Sequence, residues 1–514
     1  MVNLPNECIQ NILTHVKKSD YNTFHAAILI NRKWCQNGIM FLWQQPFNIP
    51  DNFKHRYKLI SIFHYFFDVN KDELYSAIAP SFNYPSFLKS LHSDNLANIV
   101  LEWITKHSSK SKKPKKLKNQ KRSGRSRVYQ PTFFTLYRNN NTSSIGSLIK
   151  FNLFKNIFKS KSSFDSKPFQ EKFSLVIQSI LNVIVESCVN IECLRIGNVY
   201  SEYMENYLLK HECFKHLTTF KCYQPNIDPT IFLLFSDYMQ NINTLSITIS
   251  NNNIFDDCKL KELVHLIDSQ KHLQSLSIRN QYNADMSLLF EAMSRKSNTL
   301  QKLELFSHRN LKHDEAIHLS HCVNLNELSI YGVRICQELD PLLFDSKFYK
   351  LKILKFVETS WFYESSSRKG SPFISMITNN GALLNHLHLD LDLKHNSNLF
   401  RTISRFCLNL STFIISIIEG EMFRLLYPIF KNCKNLKSIK IYKIHKDGIT
   451  EEILTDFINH LSTNLSSLVL NKIKFSLKDY HGDEIDIYHV TSMMEIMRVM
   501  LDGSRSLDLI SDLG

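Results

Sequence analysis

Apolar residues in the first 47 positions recur at helical spacing. Ile9, Ile12, Leu13 and Val16 fall at i, i+3, i+4 and i+7, which lays one apolar stripe along a helix. Pro5 suits the first turn of that helix, where its missing N–H costs nothing. Asp20 reads as the N-cap of a second helix carrying Phe24, Ala27, Ile28 and Ile30. A third helix is expected around Trp34 to Trp43, stopping before Pro46. Three helices of this length bury little area, so the unit is marginal alone and gains from a partner.

The pattern changes twice downstream. Residues 48–105 are mixed, with aromatic-rich helical stretches such as "YKLISIFHYFF". From about residue 185 the chain repeats itself: "NIECLRI", "NINTLSI", "KHLQSLSI", "VNLNELSI", "ALLNHLHL" and "TNLSSLVL" all read L-x-x-L-x-I/L, give or take one aliphatic exchange. The central apolar residues are Leu194, Phe220, Leu245, Leu276, Leu303, Leu328, Leu354, Leu387, Phe413, Ile439 and Leu468, at spacings of 26, 25, 31, 27, 25, 26, 33, 26, 26 and 29. Alternation within each motif is that of a strand, and segments between them, such as "DEAIHLSHC" and "FRLLYPIFKNC", have helical spacing. A strand-plus-helix unit cannot bury its own apolar face and must stack on its neighbours. The expected fold is therefore α/β: a three-helix unit followed by a solenoid with parallel strands on the concave face and helices outside.

Four repeats share Cys-x-Asn-[Leu/Ile], at Cys188, Cys322, Cys407 and Cys433. A small, weakly polar thiol recurring in register reads as packing where a helix turns back toward its strand, not as reactivity. Val490, Met493, Met494, Met497, Met500 and Leu501 fit a final helix covering the last repeat. Eleven Cys, an odd number with no C-x-x-C pair, point to buried free thiols in a reducing compartment, cytoplasmic or nuclear. Apolar runs fall well short of the ~20 residues of a membrane helix, and no secretory leader or membrane association is expected.

Net charge changes the picture only locally. Of the +14 total, 11 Lys or Arg with no acidic residue lie between Lys106 and Arg127, which leaves +3 for the rest. The stretch "SSKSKKPKKLKNQKRSGRSR" lacks the apolar content to repay ordering and reads as a disordered loop, 106–127. "KKPKK" could serve nuclear import or tether a polyanion, although nucleic acid is not the expected partner.

Leu4-Pro5-x-Glu7, Ile9, Ile12-Leu13, Arg32-x-Trp34 and Leu42-Trp43 together resemble the F-box pattern, and the downstream repeats resemble the cysteine-containing leucine-rich class often joined to it in expanded fungal F-box families. Cys8 stands where the pattern often has Leu, and Asn31 where it often has Cys. The resemblance covers 1–47 as F-box and about 185–475 as an eleven-repeat leucine-rich solenoid, with 48–184 a helical linker and N-terminal cap and 476–514 a C-terminal cap and tail. It implies the substrate receptor of an SCF cullin-RING ubiquitin ligase. Leu4, Pro5, Ile9, Ile12, Leu13, Trp34 and Trp43 would then engage a Skp-family adaptor, and the concave face would hold a target protein. The alternative is a ubiquitin-independent repeat scaffold, with the basic loop holding nucleic acid.

Outward strand positions Arg279, Phe306, Tyr331, His388, Asp390 and Tyr442 are the candidate target-binding residues, since exposed aromatics make good anchors. His386, His388, Asp390 and Asp392 alternate onto one strand face, where His-x-His can chelate zinc. Every repeat strand alternates in this way, however, and no second ligand cluster is evident, so no metal is expected. "HECFKH" places its His residues at i and i+5, about 140° apart on a helix, which breaks the zinc-protease geometry. No phosphate-binding loop or nucleophile elbow occurs, so neither a cofactor nor intrinsic catalysis is expected. Asn140, Asn409 and Asn464 match the glycosylation sequon but are discounted in the absence of a secretory leader.

Overall fold

The computed structural model describes residues 4–19, 21–48, 56–69, 82–109, 167–197, 212–223, 230–249, 257–280, 285–307, 311–336, 345–357, 360–362, 373–390, 397–416, 420–442, 451–461, 465, 467–470 and 508–509. The chain divides into two compact units, 1–191 with 196–213, and 192–195 with 214–514. Among the described residues, no helix is long and apolar enough to cross a membrane.

The first unit begins with α1 (Asn6–Ser19), α2 (Tyr21–Ile28) and α3 (Arg32–Trp43). Ile9, Leu13, Phe24 and Ile28 form their shared core, with Leu4, Val16, Ala27, Trp34, Phe41 and Leu42 packed against it. Asn31 caps α3 by accepting from the Trp34 N–H at 3.0 Å. Helices α2 and α3 come close at Gly38, where an added Cβ would lie 2.2 Å from Ile28 Cγ2. Asn37 is buried and clasps α1 to α3: its amide donates to Asn6 Oδ1 at 3.2 Å and its oxygen accepts from Gln10 Nε2 at 3.1 Å.

The aromatic-rich stretch downstream forms α4 (Lys58–Val69). It is followed by the short strand β1 (Ser90–His92), α5 (Ser93–Ser109) and a long helix, Lys167–Ser187. Trp43 stacks on Tyr84 at 4.6 Å and packs against Phe63 at 5.9 Å, so the end of α3 is sealed from within the unit. Arg56 reaches α5 through Glu102, its Nη2 2.6 Å from Oε1. The basic segment starts inside α5, since Lys106 to Ser109 are helical; its remainder lies outside the described residues.

The second unit is the expected solenoid. Its strands are β2 (Cys193–Ile196), β3 (Thr219–Cys222), β4 (Thr244–Ile249), β5 (Ser275–Asn280), β6 (Lys302–Ser307), β7 (Glu327–Tyr331), β8 (Arg334–Cys336), β9 (Ile353–Val357), β10 (Ser360–Phe362), β11 (His386–Leu389), β12 (Thr412–Ser416), β13 (Ser438–Tyr442), β14 (Ser467–Leu470) and β15 (Asp508–Leu509). From β3 onward, the strand pairs of the main sheet are parallel among the described residues, and the sheet runs in sequence order with β8 and β10 set aside. The register matches the central residues of the repeats one to one: Phe220, Leu245, Leu276, Leu303, Leu328, Leu354, Leu387, Phe413, Ile439 and Leu468 are successive cross-strand partners. Leu509 continues that row beyond 475, into what the sequence suggests is a cap. The proposed cap helix, Val490 to Leu501, lies outside the described residues.

The buried side of the sheet packs on the helices between strands. Phe220 meets Phe235 of the helix Thr230–Tyr238 at 4.6 Å, and Phe356 meets Phe373 of the helix Phe373–Asn380 at 4.7 Å, both edge to face. Repeats are also joined at the strand entrances. Two successive N–H groups, such as those of Gln274 and Ser275, donate to one carbonyl of the preceding repeat, there Asn243 at 2.9 Å each. The same fork recurs at Gln301 and Lys302, at Asn326 and Glu327, and onward to Lys437 and Ser438.

The recurrent cysteines sit six residues before the central residue and serve structure. Cys322 and Cys433 donate their thiols to carbonyls of the preceding repeat, at Met293 (3.8 Å) and Cys407 (3.2 Å). Burial pushes the thiols of Cys188 and Cys322 up to about 12 and that of Cys407 higher, so the reactive thiolate is suppressed. Gln270, fully buried, holds the same position in its repeat, where its Oε1 accepts from Ile242 N at 2.8 Å and its amide donates to Leu266 O at 3.0 Å. Gln270→Leu strands that N–H in the core. It is expected to lower unfolding free energy by about 1–3 kcal/mol, read from a urea transition.

Two loops carry structure that the repeat pattern did not announce. After β7 the chain turns at Gly332, whose φ of 68° is unfavourable for other residues, and β8 then pairs in parallel with β10 as a separate two-stranded sheet.

Candidate functional site

Two surfaces are candidates, one in each unit. On α1, the apolar stripe has a buried and an exposed edge. Ile9 and Leu13 are 1% and 0% exposed inside the three-helix core, whereas Ile12 is 40% exposed. Pro5 and Cys8 are also exposed, and with Ile12 they lie within about 60° of one another at 100° per residue. Leu29 and Ile30, at the end of α2, add two more large exposed aliphatics. The backbone entering this surface is fixed, because Lys33 Nζ donates to Leu4 O at 2.6 Å.

This placement sorts the seven residues expected to engage an adaptor. Pro5 and Ile12 are accessible, Leu4 and Trp34 are half-buried, and Ile9, Leu13 and Trp43 are enclosed. The enclosed three hold the helices together and cannot be reached by a partner without unfolding them. The reason is that α4 and Tyr84 supply the covering surface for Trp43 that the isolated 47 residues lack.

In the solenoid, the open face of the sheet carries the alternate residues of each strand. Arg279, Phe306 and Tyr331 are consecutive cross-strand partners. The Arg279 guanidinium lies 4.6 Å from the Phe306 ring centroid, and Phe306 stacks on Tyr331 at 4.2 Å with 6° between planes. His388 and Tyr442 make a second, looser cluster, their rings 6.4 Å apart. Asp390, just past β11, accepts from Ser416 Oγ at 2.7 Å. The structure thus brings the six candidates together as two groups, separated by β9.

On β6, β7 and β9, nearer the strand entrances than the aromatic stack, lies a charge network that the aromatic positions alone do not reveal. Glu327 receives Lys355 at 2.7 Å and Lys302 at 3.1 Å, and Lys302 also meets Glu304 at 2.9 Å. Burial raises the Glu327 pKa, but hydrogen bonds from Lys355 and Lys302 outweigh it and leave the group below its usual value. Lys302, Glu304, Glu327 and Lys355 hold the positions one before or one after the central leucine, which is the signal that finds them.

His386 and His388 lie beside this network. Burial, followed by the nearby Lys355, lowers the His386 pKa, and its Nε2 is enclosed without a hydrogen-bond partner among the described residues. Burial takes His388 down to about 4, against the opposing pull of Asp390 and with help from His386, Lys355 and Lys440. A histidine with a folded value of about 4 and an unfolded value of 6.5 adds stability above pH 6.5 that is lost as pH falls toward 4. The thermal midpoint is therefore expected to drop over that window by more in the wild type than in His388→Gln. Identical pH profiles would contradict this assignment.

No group of three or more metal-ligating side chains occurs among the described residues. His386 and His388 share a strand face, as their spacing implies, while Asp392 and His211 lie outside the described residues. Of the sequons, only Asn409 is described, and its amide donates to Ala382 O at 2.8 Å. The seams between repeats thus use it as they use the cysteines.

No protein-family model and no curated protein matches the chain. Among solved structures, it is similar to an internalin (inlF) from Listeria monocytogenes, at 16% identity over 58% of this chain and 76% of that one, with a TM-score of 0.28. It is also similar to the leucine-rich repeat-containing protein LegL7 from Legionella pneumophila, at 14% identity over 62% of this chain and 92% of that one, with a TM-score of 0.32. The chain's own strand register makes its second unit a leucine-rich-repeat solenoid of the α/β class.

Proposed function

We propose that the chain is a non-catalytic substrate receptor of an SCF cullin-RING ubiquitin ligase, working in the cytoplasm or nucleus. Its N-terminal trio, which resembles an F-box, docks on a Skp-family adaptor, and the open sheet face holds a protein target. The observation that carries this reading is the exposed stripe of Pro5, Cys8 and Ile12 lying beside a closed core. An apolar strip that the fold does not need for its own stability suits a partner's helices. Ubiquitin transfer would be performed by other subunits, and the receptor would contribute proximity.

Co-expression with a tagged Skp-family adaptor tests the reading. The full chain is expected to be retained on the adaptor, and Pro5→Ala with Ile12→Ala, both at exposed positions, to be lost from it while keeping the wild-type melting profile. Equal retention of the double variant would refute the docking surface. The rival reading, a ubiquitin-independent scaffold, is favoured if no adaptor is retained and a salt-sensitive nucleic-acid affinity maps to residues 106–127.

A further inference from the structure

The N-terminal half of the open face carries a depression of about 260 Å³ whose origin is side-chain size. Thr244 and Ser246 of β4 and Ser275 and Ser277 of β5 form its floor, while Lys221 of β3, Lys302 and Phe306 of β6, and Arg279 further along β5 stand around it. The register sets Lys221, Ser246, Ser277 and Glu304 in one cross-strand row, and Thr248, Arg279, Phe306 and Tyr331 in another, two residues along. The result is a trough with a hydroxyl floor and long side chains at its rim.

Its charges are unevenly satisfied. Lys302 is tied to Glu304 and Glu327, and Lys355 to Glu327. Lys221, Arg279 and the neighbouring Arg195 have no carboxylate within ion-pair distance among the described residues. Arg195 instead lies over Tyr223 at 4.6 Å, as Arg279 lies over Phe306. A guanidinium held over a ring is partly ordered without spending its N–H donors on a carboxylate, which suits capture of a carboxylate from a partner. Lys221 and Arg279 stand two strands and two residues apart, roughly 12 Å between Cα atoms by sheet geometry. With flexible side chains, that spacing matches two separate anionic groups on an extended segment better than one compact ion.

We infer that this trough binds an acidic peptide segment of the target. One carboxylate pairs with Arg279 and a second with Lys221, the hydroxyl floor donates to the peptide, and the flanking residue rests on the Phe306–Tyr331 stack. The inference rests on the reading of the open face as the target-binding surface. It names the chemistry recognised there: two carboxylates at i and i+4 of an extended chain, on one face and about 13 Å apart at Cα.

The test uses the purified full chain without adaptor, so that its outcome is separate from adaptor docking. Three immobilised degenerate peptide libraries are compared: X4-Glu-X3-Glu-X4, X4-Gln-X3-Gln-X4 and X4-phosphoserine-X4. The expected result is at least tenfold preference for the glutamate library over the glutamine one. That preference should be lost in Lys221→Ala with Arg279→Ala, weakened by added salt, and kept in Lys440→Ala on the distant strand β13. The charge-reversed variant, Lys221→Glu with Arg279→Glu, is expected to prefer the corresponding X4-Lys-X3-Lys-X4 library, which shows that loss in the alanine variant is not unfolding. Equal capture of the glutamate and glutamine libraries would overturn the inference. So would capture confined to the phosphoserine library, or retention of the preference by the double alanine variant.

Discussion

Leu328→Ala is expected to lower the unfolding free energy of the solenoid by about 2–5 kcal/mol, the range for emptying a fully buried leucine site. Leu328 is 0% exposed and stands mid-row, with Leu303 and Leu354 as its cross-strand partners. The cavity it leaves is walled by two other repeats, each held by its own forked hydrogen bonds, so local collapse cannot fill it. Repeat proteins distribute stability over nearest-neighbour seams, and a break at the middle of the row uncouples both sides. The measurement is a urea unfolding curve followed by circular dichroism. The expected signature is a lower midpoint, with a shallower or split transition as the two flanks separate. An unchanged curve would mean that the row of central residues does not hold the stack together.

The second large effect separates two neighbours on α1. Ile12→Asp is expected to abolish adaptor binding, weakening it at least a hundredfold, with little change in melting temperature. Leu13→Asp is expected to unfold the trio itself. Ile12 is 40% exposed and Leu13 is 0% exposed among Ile9, Phe24 and Ile28. A charge at the first meets only solvent until a partner arrives, whereas at the second it is placed in an apolar core with no counterion. Apolar anchors at the desolvated centre of an interface commonly carry several kcal/mol, which sets the magnitude.

These two cases show what could be read from the chain. The row from Phe220 to Leu468 was legible because strand alternation and a period near 26 residues leave one register in which every central residue is inside. The division between Ile12 and Leu13 was not legible. A stripe at i, i+3, i+4 and i+7 spans a broad arc of a helix, and spacing alone does not say which edge the rest of the fold covers. Trp43 illustrates the same limit, since its covering rings, Phe63 and Tyr84, come from downstream elements. Gln270 carries no recurrent signal, because it replaces a thiol with an amide while keeping the same job at the seam between repeats. The parallel pair of β8 and β10 was hidden in connections that belong to no repeat motif.

The open face was half legible. Arg279, Phe306 and Tyr331 stood out as large outward residues and do form one continuous stack. The carboxylate of Glu327 between two lysines, and the trough beside Lys221, depend on which small residues fall opposite which large ones. That is a property of register across several strands, not of any single repeat.

The exposed strip at the start of α1, beside a core the chain closes by itself, is the proposed docking site for an adaptor. Isothermal titration of a purified Skp-family adaptor into the full chain tests it most directly. One-to-one binding is expected for the wild type, and no detectable heat for the equally well folded Ile12→Asp variant. Equal affinity for the two proteins, or no binding by the wild type, would contradict it.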